Sequence, residues 1–330
     1  MFEKKKNYDE IIRNYYLHLL NREPDDVGLQ YYKEQMQKGI IDEDILKKTI
    51  EESLEYKTKK ASKLFDKEKP FLFKGLYDIS YVIYPNSALD HIVCEKGVYD
   101  TWISNKLKNF IPLDSIIFDI GANSGLLSLP FAKNYVPKGT VYSFEPDNRV
   151  IRKLKENVST NRQQNIVIVP IALQDNNAVE KLVFYQRQAL DNDGRRHNAL
   201  SSIERYSDYE YKEVLIDVST IDDYVQTHGI SQLSLIKIDV DGTDSKVLAG
   251  GRKTIDTFLP IIIYEYAPYV DILVDFKNTQ YCFEFLKEKG YRQYQIIDEE
   301  RLCELKEYSP NLAESNIICF HKSKVQPSIT

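Results

Sequence analysis

The sequence predicts an α/β protein with a mostly parallel central sheet and a small all-α unit at its N-terminus. From residue 116 onward, short apolar runs alternate with amphipathic helical segments, the pattern of a parallel sheet that helices cover on both faces. A turn of small residues, Gly121 to Gly125, follows the first of these runs. The first 65 residues show helical periodicity only. These observations predict a helical unit over residues 1–65 and an α/β unit over residues 66–330.

Three helices and a linker are predicted in the N-terminal unit. Apolar side chains recur at helical spacing in residues 7–22, and a second helix covers about 27–38. Asp42 is a suitable N-cap for a third helix that runs through 45–56. The lysine-rich stretch 57–69 is interpreted as the linker between the two units.

The N-terminal unit resembles a known kind of domain. The segments LLNREPDDVGLQYY (19–32) and SLEY (53–56) are similar to a short helical domain of uncharacterised function, akin to phycobilisome-linker repeats. That domain is found in bacterial proteins that build or modify glycans. Because the unit carries no cluster of catalytic or metal-binding residue types, we expect residues 1–65 to recruit a partner protein of glycan assembly.

Strands and helices alternate regularly beyond the linker. Residues 75–84 are strand-like, and residues 292–297 and 316–320 are expected to close the sheet as an antiparallel pair. Ligands of such sheets bind outside the carboxyl ends of the strands, so the residues at those ends are the candidates for function. The other predicted strands cover 116–120, 140–145, 166–172, 181–186, 213–221, 233–240 and 261–266, and the predicted helices cover 102–111, 148–161, 245–258 and 272–288.

Composition excludes several classes of function. The formal charge of −6 is spread along the chain, so no nucleic-acid-binding surface is predicted. No apolar segment reaches the roughly 18 residues of a membrane span, and no segment is typical of a signal peptide. The four cysteines are scattered and form no CxxC pair, which is typical of a reducing compartment. We therefore expect a cytoplasmic protein without nucleic-acid or membrane-spanning parts.

The turn after the first central strand is the predicted ligand-binding element. A strand, a small-residue turn and a helix N-terminus present free N–H groups and a positive dipole end to a ligand. Gly121 and Gly125 let the backbone approach that ligand closely. Asn123 stands where a dinucleotide-binding fingerprint has its middle glycine, and no third glycine follows at the required spacing. The turn therefore disfavours an NAD-dependent oxidoreductase.

Acidic and amide side chains stand at the ends of the neighbouring strands. Glu145 ends the second central strand, where a carboxylate accepts hydrogen bonds from the ribose hydroxyls of a nucleoside. The alternative is that Glu145 only caps the helix that follows. Asp119 lies next to the turn and is suited to orient it or to meet a positive ligand group. Gln174 and Asp175 suit the edge of a base, or they form a plain polar turn.

Six motifs occur together in the order of one family. They are DIGANSG, SFEPDNRVIRKLKENVSTN, VIVPIALQDN, VSTIDDY, LIKIDVDGTDSKVLAGG and PIIIYEY. Across residues 75–320 the sequence resembles the FkbM-type family of S-adenosylmethionine-dependent methyltransferases. This resemblance implies a seven-stranded Rossmann-like class I methyltransferase sheet, S-adenosylmethionine as methyl donor, and O-methylation of a sugar or natural-product hydroxyl.

The same resemblance implies which residues bind the cofactor. The turn and the acid before it line the methionine portion, the acid of the second strand binds the ribose, and the end of the third strand approaches the adenine. These residues are Asp119, Gly121, Asn123, Ser124 and Gly125 for the first group, Glu145 for the ribose, and Ala172 with Asp175 for the adenine.

Methyl transfer to a hydroxyl requires an aligned acceptor and a general base. Asp239, at the end of the fourth central strand, is the first candidate for that base, followed by Asp241 and Glu265. His197 is a further candidate, because it lies in a polar segment, 191–206, that is long enough to fold over a pocket. Where this sequence has Asp241 and Asp244, the family commonly has Glu at the first position and His or Glu near the second.

Three other interpretations stay open at this point. LIKIDVDGT (235–243) matches the signature of haloacid-dehalogenase-type phosphatases, in which Asp239 is the nucleophile and Asp241 the acid. Asp239, Asp241 and Asp244 are also suited to bind a divalent cation, because hard cations prefer carboxylate oxygens. A metal ion is not, however, among the cofactors that we predict. Finally, the chain is consistent with a non-catalytic scaffold that binds S-adenosylmethionine without turnover.

Overall fold

The structure of the chain is a computed structural model that describes ten segments. These are residues 7–65, 69–85, 87–176, 181–187, 189–190, 196–197, 211–240, 242–268, 278–298 and 301–324. Twelve helices lie in these segments: α1 Tyr8–Leu20, α2 Asp26–Gln37, α3 Glu43–Glu52, α4 Leu54–Phe65, α5 Ala88–Lys96, α6 Thr101–Lys106, α7 Ser128–Pro130, α8 Asn148–Thr160, α9 Ile221–Thr227, α10 Asp244–Ala249, α11 Arg252–Phe258 and α12 Asn278–Glu288.

The strands of the described residues form one large sheet and three small ones. The bounds are β1 Phe71–Lys74, β2 Ser80–Ile83, β3 Ile116–Ile120, β4 Thr140–Phe144, β5 Ile166–Val169, β6 Ala172–Leu173, β7 Lys181–Arg187, β8 Ala189–Leu190, β9 Arg196–His197, β10 Tyr211–Ser219, β11 Leu235–Ile238, β12 Ile261–Tyr266, β13 Tyr291–Ile296, β14 Leu302–Leu305 and β15 Ser315–His321.

The central sheet confirms the predicted fold class. Its order is β14-β13-β15-β12-β11-β3-β4-β5, and the five consecutive strands from β12 to β5 run parallel to one another. β15 runs antiparallel to both β12 and β13, as the sequence predicted for the closing pair. The short edge strand β14 makes the sheet eight-stranded rather than seven-stranded among the described residues. Its four residues are too few to show a hydrophobic period.

Each face of the central sheet packs against its own core. Successive residues of β3 point to opposite faces, so that Ile117 belongs to one core and Phe118 to the other. Tyr135 and Leu107 pack in the first core, and Phe283 of α12 packs in the second. Both cores are fully buried, which confirms that the sheet is covered on both sides. The sheet therefore exposes its strand ends rather than its faces.

Several elements differ from the sequence prediction. Of the predicted strand 75–84, only Ser80–Ile83 is a strand, β2, because Leu76–Asp78 forms a 3₁₀ turn that joins it to β1 in a hairpin. The predicted helix 245–258 is two helices, α10 and α11. They divide at Gly250, where a Cβ would lie only 2.0 Å from the carbonyl oxygen of Gln174. β10 pairs with β6 and β7 in a separate small sheet.

The first two helices occur where the sequence predicted them, whereas the predicted third helix, 45–56, is divided at Ser53 between α3 and the start of α4. The first three helices enclose a core of Ile12, Leu46 and other buried side chains. Asp42 caps α3, since its Oδ1 accepts a hydrogen bond from the Ile45 amide at 2.8 Å. The predicted linker 57–69 is wrong over residues 57–65, which belong to α4. Lysine is a good helix former, and Ala61 on this helix is buried against the α/β unit. The boundary at residue 65 stays a prediction.

No helix among the described segments combines the length and the apolar character that crossing a membrane requires.

Candidate functional site

The turn after β3 is pressed against two neighbouring strands. Gly121 has a φ of +77° and Gly125 a φ of +81°, conformations that glycine adopts without strain. The amides of Gly121 and Ala122 both donate to the carbonyl oxygen of Phe144 at 3.0 Å. A Cβ on Gly121 would lie 1.8 Å from the carbonyl oxygen of Asp239. Only glycine therefore fits where the turn meets the ends of β4 and β11.

Glu145 is held by the same turn. Its Oε2 accepts a hydrogen bond from the Asn123 amide at 2.9 Å, and its Oε1 accepts one from the Asp147 amide at 2.8 Å. Burial raises the pKa of Glu145 to about 7, against the effect of these two bonds. Asp147, not Glu145, caps α8, because Asp147 Oδ1 accepts from the Arg149 amide. The capping interpretation of Glu145 is therefore wrong.

Asp119 is almost fully buried at the end of β3. Its Oδ2 accepts a hydrogen bond from Ser128 Oγ at 2.5 Å, and Ser128 Oγ also lies 2.8 Å from Ser143 Oγ. Its Oδ1 has no hydrogen-bond partner within the described part of the chain. Burial raises the pKa of Asp119, and the positive charge of Lys237 opposes that rise. A buried carboxylate oxygen without a partner is costly unless a ligand completes its hydrogen bonds.

Lys237 is a buried cation in the middle of the sheet, and the sequence analysis gave it no role. It lies on β11 in register with Asp119 on β3. Its Nζ donates to Asp239 Oδ2 at 2.7 Å. Burial alone would lower the pKa of Lys237, but the charges of Asp239 and Asp119 outweigh it and raise that pKa above its ordinary value. A buried lysine of this kind keeps its charge only because carboxylates surround it.

Asp239 lies where the sequence predicted, directly after β11. Its side chain is 32% exposed while that of Lys237 is only 4% exposed, so the ion pair has one buried and one accessible partner. Asp239 therefore lies at the edge of the sheet where the carboxyl ends of β3, β4 and β11 are side by side. Glu265 lies near the end of β12 in register with Asn316 of β15, and it is half-buried.

Tyr99 and Asp100 also lie near Asp239 and Lys237, although no sequence pattern indicated them. Asp100 has a φ of 45°, a left-handed conformation that is uncommon for a residue with a side chain. Asp100 Oδ1 accepts from the Ile103 amide at 3.0 Å and Oδ2 accepts from Asn316 Nδ2 at 2.8 Å. Burial raises the pKa of both residues, and the charge of Asp239 raises that of Tyr99 further. An Asp before a helix is a sequence signal for an N-cap. No sequence signal indicates that Asp100 lies beside Asn316 of β15.

The remaining predicted residues are less closely grouped. Ser124 is buried, and its carbonyl oxygen accepts from Asn157 Nδ2 at 2.8 Å. Ala172 is buried in β6, whereas Asp175 is exposed in the loop that follows. His197 belongs to the two-residue strand β9, and its side chain is not among those that the structure describes. Asp241 lies outside the described residues.

The described residues contain no group of three or more His, Cys, Asp and Glu side chains that would hold a metal ion. Because Asp241 is not described, the divalent-cation interpretation of Asp239, Asp241 and Asp244 remains a hypothesis. Burial raises the pKa of Asp244 to about 7, and its Oδ1 finds no hydrogen-bond partner among the described atoms.

Two family models match the chain. The methyltransferase FkbM domain matches residues 119–292, more than half of the sequence. A domain of unknown function, DUF4214, matches residues 2–60. The first match begins at Asp119 and includes the turn, Glu145, Lys237 and Asp239, and the second covers the helical unit.

Two curated relatives and one solved structure are similar to parts of the chain. The 2-O-methyltransferase NoeI of Sinorhizobium fredii is 28% identical over 150 residues, which cover 43% of this chain and 59% of the relative. The 31-O-demethyl-FK506 methyltransferase FkbM of Streptomyces tacrolimicus is 27% identical over 154 residues, which cover 41% and 58%. The crystal structure of methyltransferase FkbM from Methylobacillus flagellatus KT aligns at 15% identity and a TM-score of 0.39, covering 94% of this chain and 60% of that one. The chain thus spans less than two thirds of the length of each.

Proposed function

Since this chain belongs to the FkbM methyltransferase family, we propose that it transfers a methyl group from S-adenosylmethionine to a hydroxyl oxygen of a sugar or glycan intermediate. One observation carries the proposal: a buried carboxylate, Glu145, stands beside a positive-φ glycine turn at the carboxyl ends of β3 and β4. The names of both curated relatives specify O-methyl transfer, which supports oxygen as the accepting atom.

The residues of the turn fit the proposed cofactor. Glu145 would accept hydrogen bonds from the two ribose hydroxyls, and the buried residue Ala172 would lie beside the adenine. The methionine portion would lie along Gly121 to Gly125. Asp119 Oδ1, which lacks a hydrogen-bond partner among the described residues, would accept from a cationic donor of that portion. When bound, S-adenosylmethionine supplies an electrophilic methyl group, so the protein has to bring the acceptor oxygen into line with it.

The protein's own contribution to the chemistry would come from the end of β11. The exposed carboxylate of Asp239 would take the proton of the acceptor hydroxyl. The ammonium of Lys237, 2.7 Å from Asp239 Oδ2, limits the orientation of that carboxylate. Glu265, the next candidate, lies one strand further along the same edge. The carboxylates of Asp239 and Glu265 and the side-chain amide of Asn316 are suited to form hydrogen bonds with the hydroxyls of a neutral sugar.

The phosphatase interpretation has no support from the comparisons. LIKIDVDGT (235–243) lies inside the region that the methyltransferase family model matches. The carboxylate of Asp239, the supposed nucleophile, is paired with the ammonium of Lys237. The second hypothesis is therefore a non-catalytic scaffold that binds S-adenosylmethionine. A measurement of methyl transfer distinguishes this scaffold from an enzyme.

We expect the full chain to bind both S-adenosylmethionine and its demethylated product, and not NAD. In a calorimetric titration, heat with the first two ligands and none with NAD would agree with the turn geometry. Incubation with labelled S-adenosylmethionine and glycan intermediates should then yield, by mass spectrometry, a product heavier by one methyl group. Binding without any methylated product would favour the scaffold, and heat with NAD alone would contradict the proposal.

We also propose that helices α1 to α3 recruit a glycan-assembly protein. Val27 is 81% exposed and Tyr31 is 57% exposed, and both lie on one face of α2 because they are four residues apart. Exposed apolar side chains that cluster on one face are typical of protein-binding surfaces. Replacing both by serine in the full chain should leave turnover of a small acceptor unchanged and lower methylation of the cellular glycan. Equal cellular methylation would contradict the recruitment role.

A cytoplasmic location is part of the same proposal. None of the four cysteines, of which three are buried, forms a disulfide. Free thiols persist where the environment is reducing.

A further inference from the structure

We propose that α4, the last helix of the N-terminal unit, is a brace that positions Tyr99 and Asp100 on the acceptor side of the site. The placement of the two residues follows from the contacts of α4 and α5. Its effect on turnover rests on the proposed methyl transfer.

Helix α4 is held by both units of the chain. On the side of the helical unit, the guanidinium of Arg22 donates to both carboxylate oxygens of Glu55, at 2.6 and 2.7 Å, and Lys59 Nζ donates to the carbonyl oxygen of Leu20. On the other side, Thr58 Oγ1 donates to the carbonyl oxygen of Cys94 on α5 at 2.5 Å. Ala61 is buried in the core that also contains β1, β2 and α5.

The contact with α5 continues at the end of that helix. Gly97 terminates α5 with a φ of +78°, and its amide donates to the carbonyl oxygen of Val93. A Cβ on Gly97 would lie 2.8 Å from Leu76 Cγ and 3.0 Å from Leu54 Cδ1. The Gly97 carbonyl oxygen also accepts from the Leu76 amide at 2.8 Å. The turn after α5 is therefore enclosed between α4 and the hairpin of β1 and β2.

Within three residues of Gly97 the chain reaches Tyr99 and Asp100, which lie near Lys237 and Asp239. Tyr99 packs against the same core as Leu54, and its carbonyl oxygen accepts from Ser104 Oγ at 2.8 Å. Asp100 adopts its left-handed conformation in the next position. Such a conformation is strained and persists only when the surroundings hold it. Asp100 also lies close enough to Lys237 for the charge of that lysine to oppose the rise of the Asp100 pKa that burial causes.

Strain of this kind at the end of a sheet is typical of functional positions. Asn316 and the α6 amide hold Asp100 from inside the α/β unit, and α4 supports the preceding turn from outside. The helical family match, residues 2–60, includes both Leu54 and Thr58. We infer that this domain of unknown function contributes structure to the methyltransferase site, in addition to any partner that it binds.

The test uses two variants of the full chain, Thr58→Val and Leu54→Ala. Thr58→Val removes one hydrogen bond and keeps the shape of the side chain, so it is the variant that is expected to fold in any case. The matched control is Thr49→Val on α3, whose hydroxyl bonds only within its own helix, to the carbonyl oxygen of Ile45. Leu17→Ala, on the exposed side of α1, is the control for Leu54→Ala.

Hydrogen exchange and steady-state kinetics are measured on all four variants. For Thr58→Val and Leu54→Ala, we expect the Ile103 and Ser104 amides, which bond to Asp100, to exchange about tenfold faster, since each tenfold corresponds to about 1.4 kcal/mol. We expect kcat to fall by about 10- to 100-fold, because small displacements at a reacting centre are that costly. Affinity for S-adenosylmethionine should stay within about twofold, since Glu145 is untouched.

Unchanged exchange at Ile103 and Ser104 in both variants would overturn the brace. Faster exchange with unchanged kcat would overturn its role in the acceptor site. If the unsubstituted protein transfers no methyl group to any acceptor, the proposed function fails, and the exchange rates still decide whether α4 positions the turn.

Discussion

Replacing Glu145 by alanine is expected to weaken S-adenosylmethionine binding by about 10- to 150-fold for each ribose hydrogen bond that is lost. A hydrogen bond to a charged group contributes about 1.5–3 kcal/mol, and about 1.4 kcal/mol corresponds to tenfold in affinity. Each carboxylate oxygen accepts one backbone amide, from Asn123 or Asp147, and keeps a lone pair for a ribose hydroxyl. Isothermal calorimetry measures the change in Kd.

The control for Glu145→Ala is Glu156→Ala, which removes the same charge from the exposed side of α8. It should leave the affinity unchanged. Because Glu145→Ala also removes the acceptor of two backbone amides, the thermal unfolding of the variant has to be measured alongside. A folded Glu145→Ala protein with unchanged affinity would show that Glu145 only holds the turn.

Cofactor affinity should also depend on pH through Glu145. Burial raises the pKa of this carboxyl to about 7 in the free protein. Ribose hydroxyls donate to the ionised form, so binding favours ionisation and lowers the pKa in the complex. Affinity is therefore expected to decrease as the pH falls below 7 and to reach a plateau above it, with proton release on binding near pH 7. Glu145→Ala should lose this dependence.

Asp239→Asn is expected to lower kcat by about 10²- to 10⁴-fold, the usual contribution of a general base. The asparagine keeps the shape of the side chain and an oxygen that can accept from Lys237, but it cannot take the proton of the acceptor hydroxyl. Because that interaction exists only in the transition state, the affinity for S-adenosylmethionine should stay nearly unchanged. Single-turnover kinetics with a saturating acceptor measure the loss.

The matched control for this change is Asp256→Asn. Asp256 also pairs with a lysine, Lys289, but its side chain is 56% exposed and it lies on α11, away from the ends of β3 and β11. Full kcat in Asp239→Asn would exclude Asp239 as the base, and Glu265 and then His197 would be tested next. If cofactor affinity or metal dependence changed together with the rate, Asp239 would instead hold the cofactor or a metal ion.

The sequence by itself determined the parallel sheet, the glycine turn and the acids at two strand ends. These features are local: a buried strand is a short apolar run, a tight turn requires glycine, and the residue after a strand lies at its carboxyl end. Gly121, Glu145 and Asp239 were therefore placed correctly relative to their strands. The six ordered motifs also identified the family, which the match to residues 119–292 confirms.

Only the tertiary structure decided which charges meet. Lys237 is one polar residue within an apolar strand, and its role depends on Asp119, which the sheet register brings beside it, and on Asp239, which follows two residues later. Tyr99 and Asp100 lie near Asp239 and Lys237 because α5 and α6 pack in the core on the same face of the sheet as Ile117. The lysine-rich stretch after residue 56 became part of α4 because Ala61 is buried against the α/β unit. Apart from the pair of Lys237 and Asp239, these contacts join residues far apart in the chain, so no local period or spacing encodes them.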